Sequence, residues 1–375
     1  MINKRSIFLG TSVHRWNDTR IFHKQATSLA KKYDVELHAP ADFDYKEENG
    51  VRIYGLPEWK KVSDRKNIRR ELWKRIKNST AEIFHFHDPE LLWLGIKTRV
   101  ILKRIVIYDI HEDYEKAILS KIWIPRYFRF VISKLFYLYE QISISLIKNN
   151  ISTSELIANK FKSTRINQEI IYNFPLLPSK NPNSHKKYDN LIIYVGIITK
   201  IRGFNEIVEA LSLIKEQFSF RFMVIGPVHE SYQKEINAKI KLLNLGDRID
   251  FKGLMPYNDI FEYIEKAIVG LVCLLPEPNH LVTFPNKIFE YMSRGTAVIA
   301  SDFPLYRQVI NKEKCGILVD PSNTKDIAKS IVYSLNNKEK MIEYGINGFN
   351  AVHKQFHWEL EEIKLQKYYK KLFVA

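Results

Sequence analysis

The chain has 375 residues, 45% hydrophobic and 13% aromatic, and 58 Lys and Arg against 42 Asp and Glu give it a formal net charge of +16. That length exceeds one ordinary core and predicts two domains, and the apolar content excludes a disordered chain. Cys273 and Cys315 are the only cysteines and lack metal-ligand spacing, which excludes a disulfide framework and points to a reducing compartment.

The positive charge fits a nucleic acid, an anionic membrane surface or a merely Lys-rich composition. Neither zinc-finger spacing nor an RNA-recognition signature is present, so nucleic acid is set aside. The first ten residues lack the apolar segment of a signal peptide. No window of about 18 residues is free of charge, so no membrane-spanning helix is expected.

In chain order, residues 6–10 read as a strand that ends in a polar loop, and a helix starts near Asp18 or Thr19. Residues 35–38 and 51–54 are two more strands, and this alternation predicts a parallel sheet with crossover helices. Residues 63–77 form a basic amphipathic helix with Ile68, Leu72 and Ile76 on one face. Such a helix lies on an anionic bilayer or packs on its own domain through the apolar stripe, and the pattern favours neither. Residues 82–88 and 104–111 are strands running into His87-Asp88 and His111-Glu112-Asp113. Open α/β sheets hold ligands at such strand ends. Residues 122–147, dense in aromatics that include Trp123, read as a core helix, with an interfacial helix as the alternative.

Residues 151–154 and 170–173 are taken as strands, and the Pro-rich stretch 175–187 as a linker. The strand–helix alternation then restarts at 191–196 and continues through strands at 220–226 and 249–253 and helices at 232–243 and 258–267. An apolar run, 268–275, leads through a polar loop into a helix bearing Glu290, which stops at Gly295 before the strand 297–300. Residues 353–373 close the chain as a helix. The expected organisation is an N-terminal domain at 1–174, a linker at 175–188, a C-terminal domain at 189–350 and a returning helix at 351–375.

Two parallel-sheet domains in series are expected to face each other across a cleft lined by strand ends. The loop 195–203 offers Gly196, Lys200 and Arg202 ahead of a helix start, a pattern suited to a diphosphate. The helix start at Asn286 and Lys287 adds amides and a charge, and Glu290 one turn later suits a vicinal diol such as ribose. His111, with His85, His87 and Asp88 at a neighbouring strand end, makes a metal site conceivable, although no compact ligand set such as HExxH is present.

Together these pieces resemble the family 4 glycosyltransferases, retaining enzymes of GT-B fold. The resemblance rests on 18–24 (DTRIFHK), 87–92 (HDPELL), 108–113 (YDIHED), 194–203 (YVGIITKIRG), 284–292 (FPNKIFEYM), Gly295 and 300–304 (ASDFP). It implies two Rossmann-like domains, the first binding an acceptor and the second a nucleotide-sugar donor, UDP-sugar above others, used as co-substrate with no metal or other cofactor. It implies that His111 sits by the donor sugar, that Arg202 neutralises the leaving diphosphate with Lys200 or Lys287, and that Glu290 binds ribose. Asp18, Arg20 and His87 fall on its acceptor-side landmarks. Three positions depart from the family: Val282 stands where an acid reads the donor sugar, Ile197 where an arginine is usual, and Arg202 where a lysine is usual. Glu277, Asn279 and His280 are the candidates to take over that sugar contact, and Phe284 is a further donor-sugar or acceptor candidate. The expected acceptor is a lipid-linked or oligosaccharide glycan of a bacterial surface polysaccharide. The expected location is cytoplasmic, peripheral on the inner membrane face. A nucleotide-sugar epimerase and a catalytically silent nucleotide-sugar binder are the alternatives.

Overall fold

The structure, a computed structural model, describes residues 4–121, 124–162, 166–178 and 190–374. Most of the expected linker, 179–188, and Trp123 lie outside the described residues. The chain divides into two compact units, Met1–Asn173 with Trp358–Ala375, and Phe174–His357.

The first unit is built on β1 (Ser6–Gly10), β2 (Asp34–Pro40), β3 (Tyr45–Glu48), β4 (Val51–Leu56), β5 (Ile83–Phe86), β6 (Ile105–Ile110), β7 (Asn149–Ser152) and β8 (Asn167–Ile170). They form one sheet in the order β3-β4-β2-β1-β5-β6-β7-β8, parallel except for β3, which pairs antiparallel to β4. The unforeseen β3 arises from Asn49-Gly50, both at positive φ, a two-residue turn whose twist suits a hairpin. β7 starts two residues before the expected strand, directly after Lys148, whose left-handed backbone ends the preceding helix at Ile147. Asn149 is polar yet buried, donating to the Val106 carbonyl, and so hides the strand's apolar pattern.

Helix α1 (Arg65–Asn78) buries Ile68, Leu72 and Ile76 in a core with Phe8, Phe84, Leu92, Val106 and Tyr108. This decides between the two readings of the basic helix: its apolar stripe is spent on the unit's own core and does not face a bilayer. Helix α2 (Leu92–Ile101) follows β5, and α3 (Arg126–Ile147) follows β6. The expectation that α3 is a core helix is corrected by its exposure. Only Ser133, Glu140, Ser143, Ile144 and Ile147 of this helix are buried, whereas Phe128, Val131, Leu135, Leu138, Ile142 and Leu146 are exposed. The helix is also long and apolar enough to cross a membrane by length and composition, contrary to the reading from its charges.

The second unit holds β9 (Leu191–Val195), β10 (Arg221–Ile225), β11 (Ile249–Gly253), β12 (Val269–Val272), β13 (Ala297–Ser301) and β14 (Gly316–Val319). The sheet is all parallel, ordered β11-β10-β9-β12-β13-β14. Strands such as β9 and β12 are buried along their whole length, as a sheet covered on both faces requires. Helix α4 (Phe204–Ile214) turns Phe204, Ile207, Val208, Leu211 and Ile214 into the core. Helix α5 (Asn286–Ser293) ends in paired hydrogen bonds from Gly295 N to the Met292 carbonyl and from Thr296 N to the Tyr291 carbonyl, with Gly295 at φ +65°. That is the glycine stop its sequence predicts.

The expected closing helix is two helices, α6 (Lys338–Gln355) and α7 (Trp358–Val374). α6 lies in the second unit and α7 in the first. The chain changes unit at 357–358, later than the expected boundary at 351. Trp358, Leu365, Tyr368, Tyr369 and Leu372 are buried, and Trp358 Nε1 donates to Ser28 Oγ at 2.9 Å.

Candidate functional site

In the second unit the strand order reverses between β9 and β12, where an open parallel sheet leaves a crevice at its strand ends. The loops after these two strands lie against each other. Leu275 N donates to the Ile201 carbonyl at 3.1 Å. Gly203, at φ +71°, approaches so closely that a Cβ there would stand 1.8 Å from the Cys273 carbonyl oxygen. Helix α5 is fixed to the same strands by Tyr291, whose hydroxyl accepts from Val195 N at 2.9 Å. Its ring fills the place a Cβ on Gly270 would take.

This packing gathers two cations and a histidine. Lys287 is 6% exposed, its Nζ lies 3.9 Å from the Tyr194 ring centre, and among the described residues it has no hydrogen-bond partner. Burial first, then the neighbouring Arg202, hold its ammonium well below the usual lysine range. Arg202 Nη1 would lie 3.3 Å from a Cβ on Gly196, so the guanidinium covers the glycine turn. His280 Nδ1 lies 2.9 Å from the Leu275 carbonyl, and burial, with Arg202 and Lys287 adding to it, lowers its pKa. Lys287 and Arg202 act on each other electrostatically beside an α5 start with no side-chain cap, an arrangement suited to an anion.

Not every predicted residue joins them. Lys200 turns away to pair with Glu235 at 3.4 Å and is 66% exposed. Phe284 is taken up by Phe289 and Tyr306, with ring centres 5.4 and 6.2 Å away. Asn279 Oδ1 is buried without a hydrogen-bond partner among the described residues, and Asn286 is exposed at the first position of α5. Glu290 is half-buried, and its charge acts on Lys287 and Tyr257; Glu277 acts on His280.

In the first unit the loops after β1, β5 and β6 bring three histidines together. Asp88 Oδ2 organises the first loop, accepting from Thr11 Oγ1 at 2.8 Å and from Ser12 N at 2.6 Å. Asp109 Oδ2 lies 3.2 Å from His111 Nε2, which in turn lies 3.2 Å from His87 Nδ1. Burial opposes the charge on Asp109, yet Arg20 and the histidines hold it well below the usual carboxylate range. His111 keeps partial exposure, whereas His87 has none. Arg20 is clamped to both Asp109 oxygens at 2.8 and 2.9 Å and is 3% exposed. Asp18 caps the next helix, accepting from Arg20 N and Ile21 N. Of the donor-sugar or acceptor candidates, Arg20 and His87 are thus buried and bonded to Asp109 and His111, and Asp18 is engaged as a cap.

Sequence reasoning missed His14 and Asp109. His14 lies 3.3 Å from Asp18 and 3.5 Å from Asp88. Burial disfavours its charge, but the hydrogen bond to Asp18 and the charges of Asp88, Asp18 and Glu112 outweigh it and raise its pKa to about 9. Its position four residues before Asp18, in a strand-end loop, is the signal that could have found it. His85, His87 and Asp109 hold ligand atoms within 4.8 Å of one another. They fit a metal poorly, because Arg20 already neutralises Asp109 and Gln25 also donates to it, at 2.7 Å. His85 Nδ1 is engaged by the Tyr369 hydroxyl at 2.6 Å.

Residues 178–350 match the family model described as glycosyl transferases group 1. No curated protein matches the sequence. Sucrose-phosphate synthase from Thermosynechococcus elongatus superposes with a TM-score of 0.82 at 18% identity, over 99% of this chain and 100% of that one. Anabaena HepE, solved in complex with UDP, gives 0.72 at 16% identity, over 99% and 100%. WaaG, a glycosyltransferase involved in lipopolysaccharide biosynthesis, gives 0.70 at 16% identity, over 96% and 98%. The chain thus has the GT-B fold of these glycosyltransferases, two units each built on a parallel sheet, and the second unit carries the group 1 match.

Proposed function

We propose that the protein is a retaining glycosyltransferase that moves a sugar from a nucleoside-diphosphate sugar to a lipid-linked glycan of a bacterial surface polysaccharide, working at the inner membrane face. The observation that carries this reading is Lys287, a buried amine without a hydrogen-bond partner, set beside Arg202 at the sheet's switch point. A diphosphate supplies what these cations lack, and charge positioned in advance stabilises it as it leaves. Arg202 and Lys287 take the diphosphate with the amides of α5, and Glu290 takes the ribose hydroxyls. His111, oriented by Asp109, serves the transferring sugar while the acceptor hydroxyl attacks from the face the diphosphate leaves. Asn279 and His280 take over sugar contacts where Val282 offers none. The match of residues 178–350 to a glycosyltransferase family and the UDP bound by HepE support the donor class.

The test is thermal unfolding with UDP, GDP and their sugars. A ligand at a hundred times its Kd adds about 2.7 kcal/mol to the stability of the unit that binds it. The shift should appear with a nucleoside diphosphate and shrink in Lys287→Met. If no nucleoside diphosphate raises the unfolding temperature, the donor assignment fails.

A further inference from the structure

We propose that the first unit docks on an anionic lipid bilayer through the outward face of α3, the helix lying in the plane of the headgroups. The proposal deepens the reading above, which places the acceptor at a membrane. The helix is inverted relative to an ordinary surface helix. Its inward side is largely polar over its first four turns, where Ser133 donates to the Glu115 carbonyl at 2.9 Å and buried Glu140 accepts from the Tyr108 hydroxyl at 3.2 Å, and of its buried residues only Ile144 and Ile147, near its end, enter the apolar core. Its outward side carries Phe128, Val131, Leu135, Leu138, Ile142 and Leu146, each between 44% and 62% exposed. These positions, three or four apart, make one continuous stripe, about 27 Å long at 1.5 Å per residue. A stripe of that extent exceeds the scattered apolar residues a soluble surface normally shows. Tyr127 and Phe130 extend it, and the neighbouring α2 exposes Trp93, Val100 and Ile101.

The charges around the stripe select the occupant. Between 121 and 148 the cations are Lys121, Arg126, Arg129, Lys134 and Lys148, and the one acid, Glu140, is buried. Lys134 also pairs with Glu115. Between Glu90 and Asp109 the charged residues are Lys97, Arg99, Lys103 and Arg104. Arg104 is held by the Ile76 and Ser79 carbonyls and Arg129 by the Ile124 and Leu119 carbonyls. An apolar stripe whose own segment carries only cations besides buried Glu140 matches the acyl boundary and anionic headgroups of a bilayer. A second copy would set the same cations against each other, on a chain already at +16. Spanning is excluded for this helix in the folded unit, since its inward side is bonded to β6 and the segment after it.

Flotation of the full chain with vesicles tests this without any nucleotide. Vesicles of phosphatidylglycerol mixed with phosphatidylcholine should carry the protein up, and phosphatidylcholine alone should carry much less. L135Q/L138Q, at exposed positions, should lower partitioning more than about tenfold while keeping the unfolding temperature. K121Q/R126Q should lower it about tenfold on the anionic vesicles only. Equal binding to both lipids, or wild-type binding by L135Q/L138Q, overturns the proposal. So does a dimer in solution that L135Q/L138Q dissolves when no vesicle binding is seen, which gives the face to a second copy. Nucleotide binding measured in solution reports separately on the donor reading, so failure of one is distinguishable from failure of the other.

Discussion

Lys287 is where a bound phosphate should change the protein most. Its folded pKa lies well below its unfolded value, so between the two the unfolded chain binds more protons and stability rises with pH. A diphosphate reverses the cause by supplying a negative partner, so binding should take up a proton at mildly alkaline pH. Calorimetry in buffers of different ionisation heat should show that uptake in the wild type and not in Lys287→Met. Arg202→Ala should cost about 3 kcal/mol of transition-state stabilisation, the scale of one lost preorganised donor, read as kcat/KM for donor consumption. His14 behaves oppositely. Its pKa is raised to about 9, so its contribution is complete below pH 6.5 and lost as pH rises through 9. After solvent screening that amounts to about 1–2 kcal/mol. His14→Gln should flatten the fall in stability across that window, measured by urea unfolding. The positions of Arg202 in a strand-end loop and of Glu290 in the helix were legible in the sequence because such loops and helix starts have local signatures. The isolation of Lys287 was not, since it depends on Tyr194 and Arg202 arriving from another loop. Nor was the task of His14, whose partner Asp88 comes from a different strand.

At the scale of the element, α3 shows what periodicity withholds. The sequence identified a long aromatic helix, and spacing says which residues share a face, but not which face turns inward. That was decided by Tyr108 and the Glu115 carbonyl, which need polar partners beneath the helix. Burial raises the Glu140 pKa to about 7. Between its unfolded value and 7 the folded state binds more protons, so stability falls as pH rises through this range. Glu140→Gln keeps the bond to Tyr108 and removes the buried charge. It should be more stable than the wild type above pH 7 by about 1–3 kcal/mol and equal to it near pH 4.5, measured by chemical unfolding. The basic helix α1 is the converse: its stripe was read correctly, and the core of its own unit claimed it.

For the whole molecule, strand–helix alternation was enough to predict two parallel sheets, and both are present. The hairpin strand β3 has a readable turn in Asn49-Gly50, but its own residues, YKEE, carry no apolar alternation. The break between α6 and α7 was not legible, because apolar residues run through it as they do through a single helix. It matters because α7 belongs to the first unit. Trp358→Ala should cost that unit about 3–5 kcal/mol, the scale of emptying a buried aromatic site. Calorimetry should show one transition lowered, with nucleotide binding by the second unit unchanged at low temperature.

The same placement sets an order of assembly. Residues of the second unit leave the ribosome before α7 does, so that unit can close while the first, made earlier, still lacks the helix that covers His85 and Ser28. Domains usually mature in the order of synthesis. Here the earlier-made half should be the later to mature, open to chaperones and proteases until residues 358–374 emerge.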